Sequence, residues 1–328
     1  MLSRILKNNS LSGVFILFCL AILLWFNLFF QKEAVNIVSG MPLFELFYSI
    51  VKNNSIALTI VSLAYIGFTG VMLNRLNFVH YLLEERSFMP AAFFFMLSAS
   101  LLPTQSINPV FLCSPFIIIS LVLLTRGDEH QADPMAIFKA GLIIGAGSFF
   151  YLKIIWFLPI LWITAAIIRP ISWRGILKPI LILALLALFY FTYYWVLKDD
   201  LKSLTELLAQ NLSFSNSFPG FDTKEWILSA YLTVLIIISS FYLLNSFQGK
   251  KIIIRKLYLV FFFLFLYSIL FYVLISGFKT EALSISFIPL SYLFANYFNQ
   301  KKRSWIREFL LWIWLLLLAY SKLNITLF

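Results

Sequence analysis

Apolar runs long enough to cross a bilayer recur almost end to end along the 328-residue chain. A helix needs about 20 mostly apolar residues to cross roughly 30 Å of hydrocarbon. On that measure the pattern predicts eleven spans, near 11–30, 55–74, 88–103, 109–125, 136–152, 154–169, 177–197, 226–244, 257–277, 283–299 and 305–321. The longest polar-containing intervals are 31–54 and 198–225, and an alternating ladder puts both on the same side. Inside 41–51, Met41, Leu43, Leu46, Phe47 and Ile50 recur at helical spacing. Inside 201–212, Leu201, Leu204, Leu207, Leu208 and Leu212 do the same, with Lys202, Glu206 and Gln210 opposite them. Both predict short amphipathic helices lying in the membrane interface. Two roles stay open to them: touching a substrate at that surface, or covering neighbouring span ends. The expectation is therefore an all-α, polytopic integral membrane protein, a single transmembrane domain over 1–328 with two structured loops.

Charge orients the ladder. Lys and Arg bias short loops toward the cytoplasm. With the N-terminus inside, all nine arginines (Arg4, Arg75, Arg86, Arg126, Arg169, Arg174, Arg255, Arg303 and Arg307) fall in or beside cytoplasmic loops. The inner side then holds 17 of the 25 Lys and Arg and 6 of the 14 acids; the outer side holds 8 of each. The net charge of +11 thus lies wholly inside. On a soluble chain such a balance suggests nucleic acid; here topology and anionic lipid account for it, and no nucleic-acid partner is expected. Lys250, Lys251, Arg255 and Lys256 flank one inner loop and Lys301, Lys302 and Arg303 another, as expected contacts to lipid headgroups. The first apolar run is too long for a signal-peptide core and is read as a span. The Lys-, Phe- and Ile-rich composition reads as bacterial. The expected location is the cytoplasmic (inner) membrane, N-terminus cytoplasmic and C-terminus periplasmic.

Only then does chemistry enter. A buried ionisable group is the loudest functional signal in a membrane protein, and mid-span positions here carry almost none. A proton relay, ion pump or voltage sensor fits poorly. Cys19 and Cys113 sit inside spans, and His80 and His130 lie in separate loops without ligand spacing, so no metal or cofactor is expected. There is no phosphate-binding Gly-rich loop and no nucleophile elbow. Pro159, Pro179 and Pro289 interrupt three spans, where a missing backbone donor can kink a helix. Gly141, Gly145 and Gly147 would let helices approach closely. What remains is an outer group of Glu33, Glu45, Lys153, Lys198, Asp199, Asp200, Lys202, Glu206, Asp222, Lys224 and Glu225. A carboxylate there can take a proton from an acceptor hydroxyl, and lysines at the same level can neutralise a lipid-linked phosphate.

Two stretches carry a resemblance. From Ser39 to Tyr81 a small residue is followed by Pro42-Leu43, an amphipathic segment, a span and a basic exit at Arg75. This resembles the first outer loop and second span of the GT-C superfamily, polytopic glycosyltransferases that use polyprenyl-phosphate-linked sugars. Lys139-Ala140-Gly141 with Gly145, Lys153 and Pro159 is similar to that superfamily's Ala-Gly start, second Gly and Lys before the next span. Continued through Arg169-Pro170-Ile171-Ser172-Trp173-Arg174, the same stretch also resembles a family of polytopic bacterial membrane proteins without an assigned activity. The resemblance covers roughly residues 10–200. It implies a GT-C-like bundle acting on lipid-linked sugars or envelope glycans, with Glu33 as catalytic base. Lys153, Lys198, Lys202 and Glu45 would be substrate contacts, and a lipid phosphate the substrate. The superfamily's acid in this loop is an Asp; the chain has Glu33 and Glu45 instead. The alternatives are a non-enzymatic subunit scaffolding a larger envelope complex with other membrane proteins, or a transporter of a lipid-linked substrate.

Overall fold

The computed structural model describes residues 18–19, 21–25, 41–51, 55–83, 87–101, 108–125, 135–168, 173–197, 199, 201–212, 222–275, 280–300 and 305–322. These residues are overwhelmingly helical, and no strand occurs among them. In order they form α1 (Pro42–Val51), α2 (Ser55–His80), α3 (Met89–Ser98), α4 (Pro109–Thr125), α5 (Ala136–Ser148) and α6 (Leu158–Ile168). There follow α7 (Trp173–Thr192), α8 (Leu201–Leu212), α9 (Thr223–Ser246), α10 (Ile252–Leu270), α11 (Phe287–Phe298) and α12 (Trp305–Lys322).

Four stretches, Thr59–His80, Leu177–Val196, Thr223–Ser246 and Ile252–Ile275, are long and apolar enough to cross a membrane. Shorter apolar helices of 10–17 residues occupy Met89–Ser98, Pro109–Thr125, Ala136–Ser148 and Leu152–Ile168. Four of the eleven expected positions thus hold helices of full length, 88–103, 109–125, 136–152 and 154–169 hold shorter ones, and the run 11–30 lies largely outside the described residues. Large apolar side chains stand on the surface, among them Leu244 at 68% exposure, Phe241 at 65% and Leu188 at 65%. A surface of that kind is stable in hydrocarbon and not in water.

Polar contacts sort the helix termini into two sets. At one end, Lys153 Nζ donates to the Ile275 carbonyl at 2.9 Å, Tyr190 Oη donates to the Ser148 carbonyl at 2.8 Å, and Lys224 lies 5.6 Å from the Tyr320 ring centroid. At the other, Lys250 Nζ donates to Asn296 Oδ1 at 2.8 Å, Lys256 Nζ to the Ile168 carbonyl at 2.9 Å, and His80 Nε2 sits 2.9 Å from Thr125 Oγ1. Lys256 and Ile275 belong to one continuous helical stretch and lie about 28 Å apart along it at 1.5 Å per residue. Neighbouring helices therefore alternate in direction.

The centre is the pair α3 and α11, which pack on each other. Every residue of α3 is buried. Phe93 stacks on Phe298 and on Trp314 with ring centroids 5.1 and 5.8 Å away, and Phe261 stacks on Tyr292 at 4.5 Å. Tyr292 Oη donates to the Leu73 carbonyl at 2.5 Å, tying α11 to α2. Glycine does what its spacing predicts: a Cβ on Gly145 would meet Leu186 at 3.2 Å and one on Gly141 would meet Ile182 at 2.2 Å, so α5 and α7 lie close.

The prolines divide. Pro179 lies inside α7, as expected, and Pro115 inside α4. Pro159 and Pro289 instead fall in the first turns of α6 and α11. There the missing N–H has no intrahelical partner to lose. Each of these two helices is preceded by a tighter 3₁₀ turn, Leu152–Phe157 and Thr280–Ile285, so the chain changes helix type just before the proline instead of kinking at it.

Candidate functional site

The end of the bundle that holds Lys153 is built by the two amphipathic helices. A second small core, separate from the main one, gathers Met41, Phe44, Leu152, Tyr190, Leu204 and Leu207. It draws α1, α8 and the end of α7 over the turn that follows α5. The buried face of α8 is the predicted one: Leu204 and Leu207 are inside, Lys202 and Glu206 exposed. The expected face of α1 is met at Met41 and at Phe47, which packs against this core, and not at Leu43 and Leu46. Met41 and Phe44 are buried, whereas Leu43 and Leu46 are 40% and 60% exposed. The helix has apolar side chains on two faces, and the one carrying an aromatic ring packs inward.

Lys153 lies in the 3₁₀ turn and is 9% exposed. That turn forms because α5 ends at Ser148 and its last carbonyls are taken by short-range donors: the Phe150 and Tyr151 amides both donate to the Gly147 carbonyl, at 3.0 and 3.1 Å. The lysine reaches the Ile275 carbonyl at the end of a π-helical turn, Phe271–Ile275, that closes α10. A helix C-terminus leaves carbonyls without intrahelical donors and carries partial negative charge, so an ammonium there satisfies both. The position that the pattern assigns to a phosphate contact is thus, in the structure, also a cap on α10. Glu281, half-buried in the turn after it, lies within electrostatic range of Tyr151. Glu281 was absent from the outer acidic group expected from sequence; its one signal was its place a few residues beyond the end of a span.

The other expected residues scatter. Glu45 is exposed on α1 and Lys202 exposed on α8. Glu225 is 8% exposed and closes a capping box at the start of α9, its Oε2 accepting from the Asp222 amide at 3.3 Å. Glu33, Lys198, Lys301, Lys302 and Arg303 lie outside the described residues. At the opposite end, Lys251 is exposed and Arg255 half-buried, while Lys250 and Lys256 turn inward onto protein acceptors. Among the described residues no group of three His, Cys, Asp or Glu is placed to hold a metal ion.

Along the bundle side, Phe18, Ile22, Ile60, Gly67, Val71 and Phe95 line an apolar groove of about 570 Å³. It opens over Gly67, where an added Cβ would meet nothing within 4 Å among the described residues. It is narrowed at Gly70, where an added Cβ would stand 2.8 Å from the Phe95 ring. No model of a known protein family, no curated protein and no solved structure matches this chain.

Proposed function

We propose that this chain is a divergent GT-C-like protein of a bacterial inner membrane, acting on lipid-linked sugars or envelope glycans at the end that carries Lys153. The full reading has eleven spans, a cytoplasmic N-terminus and a periplasmic C-terminus. The observation that carries it is the convergence of α1 and α8 over the Lys153 turn in one small core. That arrangement supports a surface-level site walled by amphipathic helices, where a polyprenyl phosphate presents its headgroup. Glu33 would take the proton from the acceptor hydroxyl, and Lys153 would offset phosphate charge, with Lys198, Lys202 and Glu45 as further substrate contacts.

A second reading, a non-enzymatic membrane subunit, draws on the apolar groove along α2. A partner helix or a lipid tail suits a groove of that lining, and neither needs Glu33.

Two measurements separate the readings. Glu33→Gln keeps the side-chain shape and removes the charge; loss of a positioned base costs about 10²–10⁴ in rate. The enzyme reading expects Glu33→Gln to abolish rescue of a deletion strain at normal protein abundance. Full rescue by both Glu33→Gln and Lys153→Ala would replace it with the subunit reading. For orientation, a reporter active only outside the cytoplasm should give signal when fused after Phe328 and none after Lys251. The reverse result would defeat the ladder.

A further inference from the structure

The end opposite Lys153 carries a built polar pocket that neither reading uses. It measures about 300 Å³ and is lined by Tyr242, Asn245, Ser246, Lys250, Asn296 and Gln300 among others, none of them acidic. We propose that this pocket binds a single phosphate group, borne by a phospholipid headgroup or by a soluble phosphate, between α9 and α11.

Four observations lead there. First, Asn296 is 7% exposed, and its Nδ2 has no hydrogen-bond partner among the described residues although the side chain lines the pocket. A buried amide donor left unsatisfied is costly, so a native structure keeps one where something accepts from it. Second, the same amide's Oδ1 accepts from Lys250 Nζ at 2.8 Å, and that ammonium also lies 5.3 Å from the Tyr258 ring centroid. The cation is held at the pocket wall instead of reaching freely into headgroups, and the amide presents its N–H pair beside it.

Third, a second cation stands behind the pocket. Arg307 is 6% exposed, its Nη1 has no hydrogen-bond partner among the described residues, and the phenols of Tyr297 and Tyr242 are its electrostatic neighbours. Tyr242 lines the pocket and packs edge-on against Tyr297 at 5.8 Å. Arg307 occupies the first turn of α12, where the helix dipole disfavours a cation. Burial, an open donor and an adverse dipole are all relieved by one nearby anion.

Fourth, the surrounding dipoles do not oppose it. The C-termini of α9 and α11 reach this end with about half a negative charge each, and the N-termini of α10 and α12 return about half a positive charge each. The four cancel, leaving the field to side chains: Lys250 and Arg307 against the single acid Glu308 beside Arg307 in the first turn of α12. A volume of about 300 Å³ is at the low edge of ligand sites, so it admits a headgroup or small phosphate and not a whole lipid. The inference is independent of the glycosyltransferase reading, and of which end faces the cytoplasm, because both leaflets present phosphodiesters.

The test uses the full chain in detergent, with bound lipid counted by native mass spectrometry and probed separately with phosphatidylglycerol and inorganic phosphate. One phosphatidylglycerol retained per chain is expected for the unaltered protein. Asn296→Asp keeps the shape and the acceptor for Lys250 but replaces the donor by a negative charge. It should weaken retention about tenfold or more while the unfolding temperature holds. Lys250→Gln should do the same, Arg307→Gln less, and Lys139→Gln, exposed at the same end, nothing. Inorganic phosphate that displaces the lipid and shifts the unfolding temperature identifies a soluble phosphate as the ligand. Lipid retention insensitive to phosphate identifies the headgroup. Retention unchanged in Asn296→Asp, equal loss in Lys139→Gln, or no response to either probe overturns the proposal.

Discussion

Helices α3 and α9 have much the same apolar character and opposite surroundings. Every residue of α3 is buried, from Met89 to Ser98. In α9 the buried positions are Glu225, Leu228, Leu232, Leu235 and Ser239, a single stripe three or four residues apart, while Ile237, Phe241 and Leu244 face out. In water this pair would be inconsistent, since the exposed face of α9 would have to be covered. In hydrocarbon an exposed Leu and a buried Leu have nearly the same solvent, so exposure costs little. What singles out α3 is its contents: three consecutive phenylalanines between methionines, small alanines at the start, and stacked rings from α11 and α12 around Phe93. Packing, more than burial away from water, marks the centre of this bundle.

The comparison is broken most directly at Phe93. It is 0% exposed and stacked on two rings, whereas Phe241 on α9 is 65% exposed. In soluble cores Phe→Ala costs about 3–5 kcal/mol. Because lipid replaces water as the alternative environment, the transfer part falls away, and lost dispersion and ring contacts remain, about 2 kcal/mol. Phe93→Ala should lower the thermal unfolding midpoint in detergent clearly, and Phe241→Ala hardly at all. Equal shifts would mean that the difference between the two helices is not one of packing.

The same physics decides what can be read from the chain. Spans were visible because apolar runs are visible, and α1 and α8 because one of their faces must be polar. Which span is central was not visible, since lipid-facing and protein-facing positions are both apolar and no periodicity separates them. Met89–Ser98 reads as a short, unremarkable run. The buried face of α1 is hard to read for that reason: Leu43 and Leu46 fit the stripe as well as Met41 and Phe47 do, and only packing into the small core separates them. Helix ends were partly legible. Gly141 and Gly145 announced the close approach of α5 to α7, but the 3₁₀ turns ahead of Pro159 and Pro289 had no distinct signal. At the candidate sites the charges were visible and their directions were not. Lys153, Lys250 and Lys256 all turn onto protein acceptors, and Arg307 is buried, which spacing alone does not encode.

A sharper version of the comparison lies within one helix. Gly67 and Gly70 sit one turn apart on α2, the first over the open groove and the second against α3. A Cβ on Gly70 would stand 2.8 Å from Phe95 Cε1 and Cζ, and Phe95 is 5% exposed in the packed centre, so the ring has little room to give. Overpacking of this kind costs about 1–3 kcal/mol. A Cβ on Gly67 would meet nothing within 4 Å among the described residues, and alanine favours the helix by roughly 0.5–1 kcal/mol. Gly70→Ala should therefore destabilise and Gly67→Ala leave stability equal or higher. Destabilisation by Gly67→Ala would show that the groove is closed by a chain segment or a bound tail.

The smallest expected effect tests whether the second core at the Lys153 end is packed as the main one is. Tyr190 is 4% exposed, its ring stacked on Phe149 at 5.2 Å, and its hydroxyl donates to the Ser148 carbonyl at 2.8 Å. Ser148 is the last residue of α5, so this carbonyl has no helical donor of its own. Tyr190→Phe keeps the ring and its stacking and removes the donor, at a cost of about 0.5–1.5 kcal/mol. Tyr190→Ala removes both and should cost more than Tyr190→Phe by the ring's share, if the cluster of Met41, Phe44 and Leu204 closes tightly around it. Should the two variants unfold at the same midpoint, the ring contributes little, and α1 and α8 are held there by the interface and not by each other. A gap between the variants as wide as that between Phe93→Ala and Phe241→Ala would instead make this end as firmly packed as the centre, with a rigid wall beside the Lys153 turn.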